Sequence, residues 1–158
     1  MFTLKRIQVF NRSINEIFPF FNSPENLEII TPDNLKFVIK TPKPLLMKEG
    51  AKFDYTIKLG IFKFPWRTLI TKYSPPIFFQ DIQTFGPYKK WEHTHEFIDL
   101  GDKTKMIDTV EYDLFPRFLG KIINNLYVKK QIEKIFDYRY KILDSLFNAN
   151  QVKKENIY

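Results

Sequence analysis

Polar and apolar positions alternate along much of the chain, and the alternation lays out its elements. Over residues 2–10, Phe2 and Leu4, with Arg6, fall on one face while Ile7 and Val9 fall near the other, which predicts an opening strand. Ser13-Ile14-Asn15-Glu16 has the spacing of a capping box. The helix it starts carries Ile14, Ile17, Phe18 and Phe21, is interrupted by Pro19 and ends near Asn22. Ser23-Pro24-Glu25 opens a second short helix, with Pro24 suited to its first turn, and Thr31-Pro32 closes it. Residues 35–40 could form a strand before Thr41-Pro42-Lys43-Pro44 breaks it. Phe53, Tyr55, Ile57 and Leu59 then alternate with Asp54, Thr56 and Lys58, the pattern of an amphipathic strand. Further strands follow over 65–73, 77–85, 88–99 and 103–114, separated by Gly60, Ser74-Pro75-Pro76, Gly86-Pro87 and Gly101-Asp102. Connections this short imply an antiparallel meander.

After Pro116 the period becomes helical. Val128, Ile132, Ile135, Phe136, Ile142, Leu143, Leu146 and Phe147 share one broad apolar face, in a stretch from Leu119 to Phe147 without proline. Leu119, Ile122, Ile123 and Leu126 point to a different side, so a long helix is expected to bend near Tyr127. The reading is one α+β domain over residues 1–147, followed by a polar tail over 148–158. Its curved antiparallel sheet wraps around the long C-terminal helix, with two short helices after the first strand. The space between sheet and helix is a natural cavity.

Composition changes the picture only in part. The aromatic fraction of 17% includes 17 Phe, far more than an ordinary globular chain carries, and suits an aromatic-lined cavity. Alanine is scarce beside abundant Phe, Ile, Lys and Asn, a compositional bias that weakens this inference. The net charge of +7 is spread over scattered lysines with no arginine-rich block, which argues against a nucleic-acid partner. The absence of cysteine excludes disulfides, thiolate metal sites and a cysteine nucleophile. Charges sit where a signal peptide needs its apolar run, and no stretch approaches the ~18 apolar residues of a membrane span. A cytoplasmic location is expected.

The order of elements resembles the helix-grip fold of the START-like superfamily. Within it, the chain looks like the polyketide cyclase/dehydrase and ligand-binding branch often called SRPBCC. The resemblance runs through Ser23-Pro24-Glu25-Asn26-Leu27, Thr31-Pro32, Glu49-Gly50, Trp66-Arg67-Thr68, Pro75-Pro76 and Gly86-Pro87-Tyr88. It continues through Trp91-x-His93-x-x-x-Phe97, Asp108, Tyr112, Gln131 and Phe136-Asp137-Tyr138-Arg139. It implies a START-like ligand-binding domain, in a superfamily that includes carriers of hydrophobic ligands and cyclases. No universal catalytic motif comes with it.

The candidate chemistry centres on Trp91-Glu92-His93-Thr94-His95-Glu96-Phe97. On a strand, Trp91, His93, His95 and Phe97 share the inward face, which places two imidazoles among apolar side chains. A His-x-His pair can give a metal two ligands, but with no further His or Cys an Asp or Glu would have to complete the set. A polar cavity wall is the favoured reading, with no metal and no cofactor. On the next strand Met106, Asp108, Val110 and Tyr112 face inward. Paired residue numbers summing to 203 close the loop at Gly101-Asp102 and set Phe97 opposite Met106, His95 opposite Asp108 and Trp91 opposite Tyr112. A slip of two residues would bring His93 to Asp108 instead. Arg139 falls within the apolar face of the terminal helix, where a guanidinium must pair, snorkel or meet a ligand. Tyr55 and Trp66 are further cavity candidates, as is Tyr73.

These residues point first to a non-catalytic carrier or sensor of a small hydrophobic or amphipathic molecule. The ligand would be oriented by Tyr55, Trp66, Trp91, His93, His95, Phe97, Asp108, Tyr112 and Arg139. The alternative is a cyclase or dehydratase in which His95 and Asp108 act as base and orienter in the same cavity. A module in peripheral contact with an anionic membrane is the third class. It requires a contiguous basic or apolar patch.

Overall fold

Alternation becomes a sheet largely where the sequence places it. The computed structural model describes residues 1–115, 122 and 127–149. Its strands are β1 (Phe2–Phe10), β2 (Val38–Ile39), β3 (Lys52–Leu59), β4 (Phe62–Ser74), β5 (Phe78–Phe85), β6 (Lys90–Asp99) and β7 (Thr104–Asp113). The helices are α1 (Ile14–Phe21) and α2 (Lys129–Phe147), with 3-10 turns at Pro24–Glu28 and Asp33–Leu35. Among the described residues the strands form one antiparallel sheet in the order β1-β7-β6-β5-β4-β3-β2. The meander therefore closes against the first strand, with Leu4 opposite Val110 and Phe2 opposite Tyr112.

Turns and bulges give the sheet its shape. β3 and β4 are joined by Gly60-Ile61, and Gly60 takes the positive φ of 61° that a two-residue hairpin needs at its first position. Register shifts between Arg67 and Thr68, and between Ile70 and Lys72, interrupt the β4–β5 ladder. Bulges of this kind bend a strand and raise its twist, so the sheet curves around its inner face.

That face carries the core. α1 packs Ile14, Ile17, Phe18 and Phe21 with Phe10, Phe79, Phe97, Met106 and Leu143 over one end of the sheet. α2 lays Ile132 and Phe136 against Leu4, Val110 and Tyr112 over the adjoining region. Phe10, Ile17, Val110, Ile132 and Leu143 are all less than 2% exposed. Full burial of such side chains stabilises the fold by roughly 1.5–3 kcal/mol each. Polar ties fix the helix along β1: Gln8 Nε2 donates to the Tyr140 carbonyl at 3.0 Å, and Arg6 pairs with Asp137 at 3.1 Å.

The structure corrects several local expectations. α1 continues through Pro19, because its apolar face runs on to Phe21 and one missing N–H removes only one helical hydrogen bond. Glu16 Oε2 accepts from the Ser13 N–H and hydroxyl at 3.0 and 2.9 Å, so Ser13 does begin this helix. The second short helix is a 3-10 turn that ends at Glu28, before Thr31-Pro32, and the strand expected over 35–40 shrinks to two residues. Leu146, read as part of the apolar face of α2, is 44% exposed at its edge. The bend near Tyr127 and the face formed by Leu119, Ile123 and Leu126 involve residues outside those described, as does the polar tail from residue 150. No helix among the described residues is long and apolar enough to cross a membrane.

Candidate active site

Between the sheet, α2 and the Pro24–Glu28 turn lies a partly open cavity of about 170 Å³. An apolar cavity of roughly 150 Å³ holds a benzene molecule, so this one suits a compound of about one ring with a short side chain. Leu27, Ile30 and Met47 contribute apolar wall, and Tyr55, Trp66, Trp91 and Phe79 contribute rings from four neighbouring strands. The rings are held by polar anchors. Tyr55 stacks on Trp66 at 5.9 Å between centroids, and Trp66 meets Trp91 edge-on at 5.4 Å. The Thr68 hydroxyl lies 2.6 Å from the Tyr55 hydroxyl and accepts from Trp66 Nε1 at 3.1 Å.

The polar floor is assembled across three strands. The register sets Asp81 of β5 opposite His93 of β6, and His95 of β6 opposite Asp108 of β7. Both imidazoles are buried, with centroids 3.8 Å apart. Phe79 stacks on His95 at 4.1 Å, and His93 points edge-on at Phe136, 5.5 Å away. Asp108 stands behind the rings. Its Oδ1 is 3.2 Å from His93 Nε2 in a hydrogen bond, and 2.8 Å from His95 Nδ1 in an ion-pair contact off the hydrogen-bond direction. Asp81 stands on the cavity side, its Oδ2 3.4 Å from His95 Nε2 and 4.0 Å from His93 Nδ1. A carboxylate only accepts, so His93 Nε2, which bonds Asp108, carries a proton. His93 Nδ1 and His95 Nε2 are then the nitrogens on the Asp81 side.

The electrostatics separate the two rings. Burial pushes His95 down, but the charges of Asp108 and Asp81 outweigh it and its pKa is raised. For His93, burial and the neighbouring His95 charge prevail over the same carboxylates, and its pKa is lowered. Burial would raise the Asp108 carboxyl, yet the two imidazoles overcome it and hold that group well below the usual carboxylate range. Arg139 of α2 lines the same cavity with its guanidinium 4.8 Å from the Phe136 ring centroid. Its Nε is enclosed without a hydrogen-bond partner. Burial lowers its pKa against the pull of Asp108, Asp81 and Tyr55, and a guanidinium remains a cation after such a shift.

The structure brings Tyr55, Trp66, Trp91, His93, His95 and Arg139 to the cavity. Asp108 is behind the floor, lining a small secondary hollow with Gln8, Met106 and Arg139. Phe97 and Tyr112 face inward but lie in the packed core rather than in the cavity wall, Phe97 beneath Phe18 and Phe21 and Tyr112 against Phe2 and Trp91. Tyr73 hydrogen-bonds Asn22 Oδ1 at 2.6 Å and ties β4 to the end of α1. Asp81 was not singled out from the sequence. Its only signal there is its place two residues after Phe79, on a strand where Phe78 and Ile82 blur the alternation.

No protein-family model matches this sequence, and no curated protein matches it. Solved structures do match in shape. TTHA0849 from Thermus thermophilus superposes with a TM-score of 0.70 at 13% identity, over 90% of this chain and 94% of that one. A START superfamily protein from Mycobacterium smegmatis gives 0.68 at 14% identity, over 93% and 97%. Norcoclaurine synthase from Thalictrum flavum, in complex with dopamine and hydroxybenzaldehyde, gives 0.62 at 16% identity, over 90% and 86%. At these identities the likeness concerns the fold, and that fold is the START-like helix grip: a curved antiparallel sheet closed around a long C-terminal helix.

Proposed function

We propose that the protein is an enzyme of the cyclase or dehydratase kind. Its substrate is a mainly apolar compound of about one ring, whose carbonyl or hydroxyl end meets the floor formed by Asp81, His93 and His95. The observation that carries this reading is the buried cluster of imidazoles and carboxylates at the bottom of a cavity otherwise walled by hydrocarbon and rings. Burying several ionisable groups is costly, and their concentration in a pocket is the usual mark of a reactive site.

The chemistry the floor supports is proton abstraction beside a carbonyl. A proton leaves the carbon next to the carbonyl for a basic atom of the floor, and the electron pair moves onto the carbonyl oxygen. The Arg139 guanidinium, without an ion-pair partner among the described carboxylates, faces the negative charge that develops. Return of the proton elsewhere isomerises the compound, and loss of hydroxide from the adjacent carbon dehydrates it. Norcoclaurine synthase holds one-ring compounds within the same fold, which supports the size argument and nothing more.

A non-catalytic carrier or sensor is the second reading, supported by the apolar rings on the cavity wall. Phenylacetone in D2O separates the two, because exchange of its α-protons is read by NMR without knowledge of the natural substrate. The enzyme reading expects saturable acceleration that falls at least tenfold in His95→Gln and Asp108→Asn. Saturable binding without acceleration leaves the carrier, and neither binding nor acceleration removes both.

A further inference from the structure

The floor has a front and a back. At the back, Asp108 Oδ1 lies 3.2 Å from His93 Nε2 and 2.8 Å from His95 Nδ1. At the front, on the cavity side, Asp81 Oδ2 lies 3.4 Å from His95 Nε2 and 4.0 Å from His93 Nδ1, and the three residues each offer one ligand atom within 4.8 Å of the others. Each imidazole thus has one nitrogen against Asp108, in a hydrogen bond from His93 and a charge contact from His95, and the other beside Asp81. A ligating histidine in a metal centre is prepared in this way: the rear carboxylate fixes the tautomer and raises the basicity of the front nitrogen.

We propose that Asp81, His93 and His95 hold a divalent cation of the zinc or ferrous type, with Asp108 as the positioning residue behind both rings. The inference rests on the proposed function only in taking the same floor as the reactive surface. Two imidazoles and one carboxylate suit such ions, and three protein donors leave coordination positions for water or a ligand oxygen, as in catalytic rather than structural zinc sites. The spacing is close to what coordination needs. Donors at about 2.0–2.2 Å around a tetrahedral ion are roughly 3.3–3.6 Å apart. Asp81 Oδ2 and His95 Nε2 already stand 3.4 Å apart, and the 4.0 Å to His93 Nδ1 closes with a small side-chain rotation. The charge also fits. Asp81 and Asp108 bring two carboxylates to the floor and Arg139 one cation, so a dication leaves a net charge that one anionic ligand oxygen neutralises. The sequence alone offered two donors and required an Asp or Glu to complete the set, and the fold supplies that carboxylate from β5.

The test uses the full chain, stripped with EDTA and dialysed against zinc chloride, with stoichiometry read by elemental analysis and affinity by calorimetry. Cobalt(II) replaces zinc for spectroscopy. The expected result is one zinc per chain at micromolar affinity or tighter, and cobalt bands of a four- or five-coordinate centre. Asp81→Asn and His93→Gln should each weaken binding at least tenfold. Asp108→Asn should weaken it by about 10- to 100-fold while keeping the stoichiometry. The exposed-carboxylate variant Asp54→Asn should bind as the wild type does. No zinc uptake by the wild type, or uptake indifferent to Asp81→Asn and His93→Gln, overturns the proposal. If a variant fails to fold, the wild-type cobalt spectrum decides alone, because octahedral bands without histidine contribution would refute it. Zinc uptake without phenylacetone exchange would remove the proposed reaction and leave the site. Exchange that persists in stripped protein unable to take up zinc would do the reverse.

Discussion

His95 and Asp108 face each other across the β6–β7 ladder, with Nδ1 and Oδ1 2.8 Å apart. The same carboxylate oxygen accepts a hydrogen bond from His93 Nε2 at 3.2 Å. One aspartate therefore holds two imidazoles that lie tilted against each other, their ring centroids 3.8 Å apart.

Removing that carboxylate leaves the buried His93 ring without its acceptor and the buried His95 ring without its ion-pair partner. Asp108→Ala is expected to destabilise the fold by about 3–5 kcal/mol, the usual cost of breaking a buried pair from one side. Urea unfolding measures it as a lower midpoint with an unchanged slope. A midpoint equal to that of the wild type would mean that the pair is not formed in solution.

The register behind this pair was legible in the sequence only to within a slip of two residues, because parity excludes the other pairings. The inward faces of 91–97 and 106–112 match only for an odd sum, and the loop length at Gly101 selects 203, the pairing found. Parity says which way a side chain points and not what covers it. Phe97 and Tyr112 point inward as expected, yet α1 covers the first and tight aromatic packing surrounds the second, so neither reaches the cavity wall. Asp81 was hidden for the opposite reason. Phe78, Phe79 and Ile82 place apolar residues on both faces of β5, and only pairing with His93 reveals which face is inside. Arg139 was legible from helical spacing, because it falls between the buried Phe136 and Leu143.

Thr68 is a second point of leverage, since its hydroxyl serves both Tyr55 and Trp66. Thr68→Val keeps the shape and strips the partner from two enclosed polar groups. The expected loss is about 1–3 kcal/mol in unfolding free energy, with weaker phenylacetone binding as the two rings lose their fixed stacking. Unchanged stability together with unchanged affinity would contradict this role.

Alkaline pH should reach the half-buried phenols of the cavity wall last. Burial, then the Asp81 charge, pushes Tyr55 up against the Thr68 hydrogen bond and the Arg139 charge; burial, then Tyr112, pushes Tyr88 up. A folded pKa above the unfolded value means stability that is complete below about pH 10 and lost as pH rises toward the folded value. Tyrosinate absorbance should therefore rise in two waves, exposed tyrosines first and the half-buried pair together with loss of near-ultraviolet dichroism. A single wave near pH 10 in a chain that keeps its fold would contradict the enclosed aromatic wall.

A one-ring compound in the cavity should set its polar end on the histidines. Intermolecular NOEs between phenylacetone and labelled protein test it most directly. The methyl and methylene protons beside the carbonyl should contact the ring C–H protons of His93 and His95, and the phenyl protons should contact Trp66 and Tyr55. NOEs confined to exposed residues such as Ile61 and Phe62, or none at saturating probe, would contradict it.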